Sequence, residues 1–170
     1  MDLEKYIRTI EGFPKEGISF KDVTTLLKER DAFKYTVKSI ADKLRDFNVD
    51  IVVGPESRGF IFGAPVAYEL GVGFVPVRKP GKLPAETIRY EYQLEYGMDA
   101  LEIHRDSIKK GARVAVVDDL LATGGTVLSS VRLVEQLGGE VVHIGFLIEL
   151  EFLKGRERLK GYDVSSIIRY

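Results

Sequence analysis

The sequence contains no cysteine, which removes disulfides, thiolate nucleophiles and cysteine-bound zinc from consideration. No apolar run approaches the ~20 residues that a membrane-spanning helix needs. The opening stretch MDLEKYIRTIEGF also lacks the basic region followed by an apolar one that marks a secretory leader. A cytoplasmic location is the expectation. An excess of charge is missing as well: 25 Lys and Arg stand against 26 Asp and Glu, a net charge of -1 at pH 7. Nothing therefore pulls the chain generally toward nucleic acid or an anionic membrane, and any basic site has to be local. There is no repeat of fixed period and no low-complexity linker.

What is present suffices for one core. With 170 residues, 45% of them hydrophobic, the chain reads as a single domain over 1–170. Leu3, Tyr6, Ile7 and Ile10 fall at helical spacing behind Asp2 and predict a short amphipathic opening helix. Phe33, Val37, Ile40, Ala41 and Leu44 repeat the pattern behind Asp31. The centre changes character: DIVVGPESRGF is a short apolar tract ending in Gly and Pro, followed by a helix-like run to Leu70 and a Gly71 stop. GFVPV gives another strand, RVAVVDDLLATGGTVLSSVRLVEQLGG a further strand, loop and helix, and EVVHIGFLIEL one more strand. Strands apolar on both sides that alternate with helices predict an α/β fold, a parallel sheet flanked by helices on both faces. Ligands of such sheets sit at the carboxyl ends of the strands.

Between Arg78 and His104 the pattern differs. A basic loop with two prolines leads into strict alternation, Ile88, Tyr90, Tyr92, Leu94 and Tyr96 on one side, Arg89, Glu91, Gln93 and Glu95 on the other. This predicts a projecting β-arm with little core of its own, suited to a lid.

The chemistry concentrates in VVDDLLATGGT. Ala122, Gly124 and Gly125 let backbone N–H groups approach an oxyanion, Thr123 and Thr126 add hydroxyls, and the following helix offers its positive end. Taken alone, TGGT fits a phosphate cradle or simply a tight turn with Thr as N-cap. Asp118 and Asp119, which directly continue VAVV at the end of its strand, favour the cradle of a composite ligand. Two carboxylates beside a phosphate would repel it unless they bind something else, such as sugar hydroxyls or hydrated Mg²⁺. GPESRGF is a second glycine-flanked turn after a strand, with Arg58 able to fork onto phosphate oxygens. GFPKEGIS is rejected as a nucleotide-triphosphate loop, because Ile18 stands where Lys is needed and no strand precedes it. His104 and His143 are isolated in strand-like contexts and read as structural.

VVDDLLATGGT resembles the 5-phosphoribosyl 1-diphosphate (PRPP) motif of the type I phosphoribosyltransferase family, in the wording of its adenine-using branch. FPKEGISFKDVTTLL, ESRGFIFG, RKPGKLPAET, LEYG and LKGRERL resemble that branch's segments too, in the same order and over nearly the whole chain. The resemblance implies the family's parallel-sheet fold with a small N-terminal hood over about 1–30 and a β-arm lid over about 79–103. It implies transfer of the phosphoribosyl group of PRPP to adenine, giving AMP and diphosphate, with Mg²⁺ held through PRPP and water rather than by direct protein ligands. A homodimer is implied as well, an arrangement in which some of the lid charges could act across the interface.

Residue by residue, the resemblance implies that Ala122, Thr123, Gly124, Gly125 and Thr126 hold the 5-phosphate and that Asp118 and Asp119 take the ribose hydroxyls. Ser57, Arg58 and Gly59 would hold the diphosphate with Arg78, Lys79 and Lys82. Glu95 would be the catalytic proton acceptor, with Glu91 as alternate. Phe20 would stack on adenine, the Ser19 backbone would face its exocyclic amine and Lys21 its N1, with Leu120 and Leu121 as an apolar floor. Two positions depart from the family pattern: Lys21 stands where Arg is commoner, and Pro80 where other members carry a basic residue. The competing readings are a PRPP-sensing regulator without catalysis and an enzyme using a 6-oxopurine. The first predicts a DNA-binding segment for which the chain has no room.

Overall fold

A computed structural model describes residues 1–93 and 98–170 of the chain. A 3₁₀ turn (Leu3–Tyr6) precedes a hairpin of β1 (Arg8–Glu11) and β2 (Ser19–Asp22), then the short helix α1 (Thr24–Leu27) and the long α2 (Arg30–Leu44). Strand and helix then alternate through β3 (Ile51–Pro55), α3 (Arg58–Leu70) and β4 (Gly73–Val77). The arm follows as β5 (Thr87–Gln93) and β6 (Met98–His104). After it come β7 (Arg113–Leu121), α4 (Gly125–Gln136), β8 (Glu140–Glu149), two 3₁₀ turns (Glu151–Leu153 and Gly155–Leu159) and β9 (Val164–Arg169).

The five strands β4-β3-β7-β8-β9 form one parallel sheet in that order. Alternation along the central strands divides the core in two. Val52, Ala115 and Val117 point to a cluster with Ile40 and Phe62 of α2 and α3. Val53 and Val116 point to a cluster with Val131 and Val134 of α4. This double burial explains why these strands read as unbroken apolar tracts. Gly71 ends α3 at φ 71°, a left-handed cap that costs a side-chain-bearing residue more.

Three expectations change. The opening helix is a single 3₁₀ turn, and Arg8–Glu11 instead pairs with Ser19–Asp22, where Arg8 also bonds Asp22 Oδ2 at 3.0 and 2.5 Å. Cross-strand pairing thus overrides a weak helical period. The arm does not project without a core: Leu101 and Ile103 are fully buried, and Ile88, Tyr90 and Tyr92 pack against the α4 side of the sheet. Finally, the acidic pair does not end its strand, because β7 continues through Leu121.

The chain runs from β3 out to the edge strand β4 and returns to β3's other side as β7. That reversal is the switch point at which such sheets open a crevice. The β3–β7 ladder covers only Ile51–Val53 against Val114–Val116, so the two strands part just before the loops that follow them.

Candidate active site

Where β3 and β7 part, a cavity of about 230 Å³ opens, lined by Glu56, Ser57 and Arg58 on one side and by 118–127 on the other. Asp118, Asp119, Leu120, Ala122, Thr123, Gly124, Gly125 and Thr126 therefore share one cleft with Ser57 and Arg58. Gly59 lies on the first turn of α3. A Cβ there would come within 3.0 Å of Asp118 Oδ1 and 2.8 Å of Pro55, so only glycine lets the helix start this close to the carboxylate.

Asp119 is buried, and Arg58 Nε lies 2.9 Å from its Oδ2. The N–H is not aimed at that oxygen, which has a charge partner but no aligned hydrogen bond. Asp118 Oδ1 accepts the Asp119 backbone N–H at 2.8 Å. Burial, then the neighbouring Asp119 charge, pushes the Asp118 carboxyl well above the usual range. Burial also raises Asp119, with Arg58 opposing it.

The glycine loop is shaped from outside as well as by its own sequence. Gly124 caps α4 at φ 85°. A Cβ on it would meet the Gly155 carbonyl at 2.8 Å, and a Cβ on Gly155 would collide with the Ala122 carbonyl. The Tyr92 ring of the arm lies 3.6 Å from where a Gly125 Cβ would stand. Tyr92 donates to Asp99 Oδ2 at 3.1 Å, and Asp99 forms an ion pair with Lys79.

The other lid cations sit outside the cleft. Arg78 Nε donates to Glu56 Oε1 at 3.2 Å and its Nη1 to the Lys82 carbonyl at 3.2 Å, while the Lys79 N–H bonds Glu56 Oε1 at 2.7 Å. Lys82 is exposed. Glu56, itself a wall of the cleft, is the anchor to which this loop is tied. Glu95 lies outside the described residues; Glu91 is exposed and pairs with Arg89 at 3.1 Å.

On the hairpin, the Phe20 ring lies on the side of Arg58, 5.6 Å from its guanidinium carbon, though it does not line the cavity itself. Strand alternation turns Lys21 the other way, where Nζ donates to Thr9 Oγ1 at 3.0 Å and rests 4.0 Å over the Tyr170 ring. Gly12 N–H bonds the carbonyl of Ile18, directly opposite it in register. By antiparallel alternation Ile10–Phe20 is then hydrogen-bonded, whereas Glu11–Ser19 and Thr9–Lys21 are not. The backbone groups of Ser19 and Lys21 consequently point away from β1, along an open edge.

Residues 22–168 match the model of the phosphoribosyl transferase domain. The chain belongs to the phosphoribosyltransferase family. Across all 170 residues it is 66% identical to the adenine phosphoribosyltransferase of Alkaliphilus oremlandii, covering 99% of that protein. The crystal structure of adenine phosphoribosyltransferase from Thermoanaerobacter pseudethanolicus is 58% identical and superposes with a TM-score of 0.97, over 99% of this chain and 98% of that one. The Saccharomyces cerevisiae adenine phosphoribosyltransferase, complexed with an imino-altritol bisphosphate and adenine, is 39% identical with a TM-score of 0.92, over 98% and 96%.

The donor set of the cleft bears on how a divalent ion would be held. Among the described residues no three His, Cys, Asp or Glu side chains are grouped to cage a metal. The carboxylates lining the cleft are Asp118, Asp119 and Glu56, the last of which accepts from Arg78 and the Lys79 N–H, a set that fits an ion keeping most of its waters. Sequence reading missed Gly155, Glu56, Asp99 and Tyr92, which shape the site from distant segments. LKGRERL contains Gly155, ESRGFIFG contains Glu56 and Tyr92 stands in the alternating arm, but none of the three was given a role in the site.

Proposed function

We propose that this cleft transfers the 5-phosphoribosyl group of PRPP to adenine, forming AMP and diphosphate. One observation carries the reading: a glycine-lined helix start, two carboxylates and an arginine meet in a single cavity, the set needed by a ribose bearing phosphate at both ends. In this reading 122–126 hold the 5-phosphate, Asp118 and Asp119 the 2- and 3-hydroxyls, and Ser57, Arg58 and Gly59 the diphosphate. Arg78, Lys79 and Lys82 join the diphosphate once the loop leaves Glu56 and Asp99. Mg²⁺, bound through PRPP and water, would neutralise the leaving group.

As the C1–oxygen bond breaks, positive charge grows on the ribose ring and negative charge on the diphosphate. The guanidinium of Arg58 and the backbone donors after β3 stabilise that departure more than the ground state. Adenine N9 forms the new bond to C1 and loses its proton to the Glu95 carboxylate. The lid over about 79–103 excludes water that would otherwise hydrolyse the activated sugar.

Adenine is read by the hood over about 1–30. Phe20 supplies the stacking face, the Ser19 carbonyl accepts from the exocyclic amine, and the outward Lys21 N–H donates to N1. Leu120 adds an apolar floor. A 6-oxopurine would place its oxygen against the Ser19 carbonyl and its N1–H against the Lys21 N–H, a mismatch on both bonds. A cytoplasmic homodimer completes the proposal. The deciding assay is diphosphate release from PRPP with adenine, hypoxanthine, guanine and no base. Release with adenine alone supports the reading, and equal release with hypoxanthine would sink its account of base choice.

A further inference from the structure

The phosphate assigned to 122–126 carries roughly 1.5 to 2 negative charges at neutral pH. The side chains lining that cavity include one cation, Arg58, and its Nε lies 2.9 Å from Asp119. Two arginines stand on the 3₁₀ turn Gly155–Leu159 behind the loop, and they are used differently. Arg156 is fully engaged: Nε and Nη2 donate to Glu149 at 2.8 and 2.5 Å, and Nη1 to the Val164 carbonyl at 2.9 Å. Glu149 is buried at the end of β8, so this pair bolts the turn to the sheet. Arg158 is exposed and makes no ion pair among the described residues.

We propose that Arg158 is the cationic partner of the 5-phosphate, a binding residue delivered to the glycine loop from behind. Its Nη1 lies 3.7 Å from the position a Gly125 Cβ would take, beside the first residue of α4. The turn is held against the loop by contact, because Gly155 packs against Ala122 and Gly124 with no room for a Cβ on either glycine. A guanidinium held there completes a cradle otherwise built of neutral donors, and its planar fork suits two phosphate oxygens. The inference rests on the cleft being the PRPP site.

The test compares Arg158→Gln, Arg158→Lys and, as a control on the same turn, Glu157→Gln. Calorimetry reads ribose 5-phosphate, AMP and adenosine binding, and steady-state assays read the KM values for PRPP and adenine. Arg158→Gln should weaken ribose 5-phosphate and AMP about tenfold and raise the PRPP KM similarly, the scale of one charge-assisted contact. Adenosine binding, kcat and the adenine KM should stay within about twofold. Arg158→Lys should lose less, and Glu157→Gln nothing. Unchanged ribose 5-phosphate binding in Arg158→Gln, with the parent active, overturns the role of Arg158 alone. An equal loss of adenosine and AMP also overturns it, since that marks a distorted loop. A parent that neither binds ribose 5-phosphate nor releases diphosphate overturns this inference and the PRPP reading together.

Discussion

Arg58 Nε and Asp119 Oδ2 meet at 2.9 Å across the switch point, joining the start of α3 to the far end of β7. Asp118 lies beside them without an arginine of its own, and the difference separates the two carboxylates experimentally.

Asp118→Asn should lower kcat/KM for PRPP while raising thermal stability at pH 7. The Asp118 carboxyl is held well above its usual 3.8, so between that value and the folded one the native state binds more protons than the unfolded chain. Stability is then lost as pH rises through that window, a loss the amide escapes. The variant's higher Tm should vanish below pH 3.8. A Tm lower than the parent's at pH 7 would contradict the burial argument.

Lys21→Met should keep adenine use within about threefold and create no hypoxanthine use, because the backbone N–H survives the substitution. The ammonium is engaged with Thr9 and Tyr170, on the far side of β2 from Phe20. Sequence alone suggested the side chain as the N1 donor, which predicts a much larger drop. Measured kcat/KM for both bases decides between them.

Asp22 gives the opposite pH dependence. The Arg8 hydrogen bond, then the Thr24 N–H, hold its carboxyl down to about 2 from 3.8. Its contribution is present above 3.8 and disappears as pH falls toward 2. Asp22→Asn should therefore lower the Tm at pH 7, with the gap to the parent closing between pH 4 and pH 2, roughly the interval between the two pKa values. A gap that persists at pH 2 would assign the loss to packing.

For the proton acceptor, Glu95→Gln should lower kcat by ~10²–10⁴ with PRPP affinity little changed, and Glu91→Gln should do far less. The reverse ranking would move the role to Glu91.

The parts of this fold legible in the sequence are those where local pattern and tertiary fate agree. Val114–Val117 is buried on both faces, so an apolar run next to Asp118 and a glycine turn marks a central strand and its site without further help. The β1 segment was illegible because Ile10 completes a helical spacing with Leu3, Tyr6 and Ile7 as readily as it enters a short strand, and only the partner Ser19–Asp22 decides. Gly155 was illegible for another reason. Its constraint is the carbonyl of Ala122, over thirty positions away, and no window of sequence contains both. The Lys21 ammonium likewise rests over Tyr170, a contact with the other end of the chain.

The parting of β3 from β7 after Val53 and Val116 makes the substrate a structural member. A molecule held as proposed, by Arg58 on one strand's loop and by Asp118 and the glycine turn on the other, would be a strut across a gap in the central sheet. By mass action it adds about 2.7 kcal/mol of stability at a hundredfold excess over its Kd. PRPP at that excess should then slow proteolysis of the folded protein, a protection that falls away as the activated sugar is withdrawn.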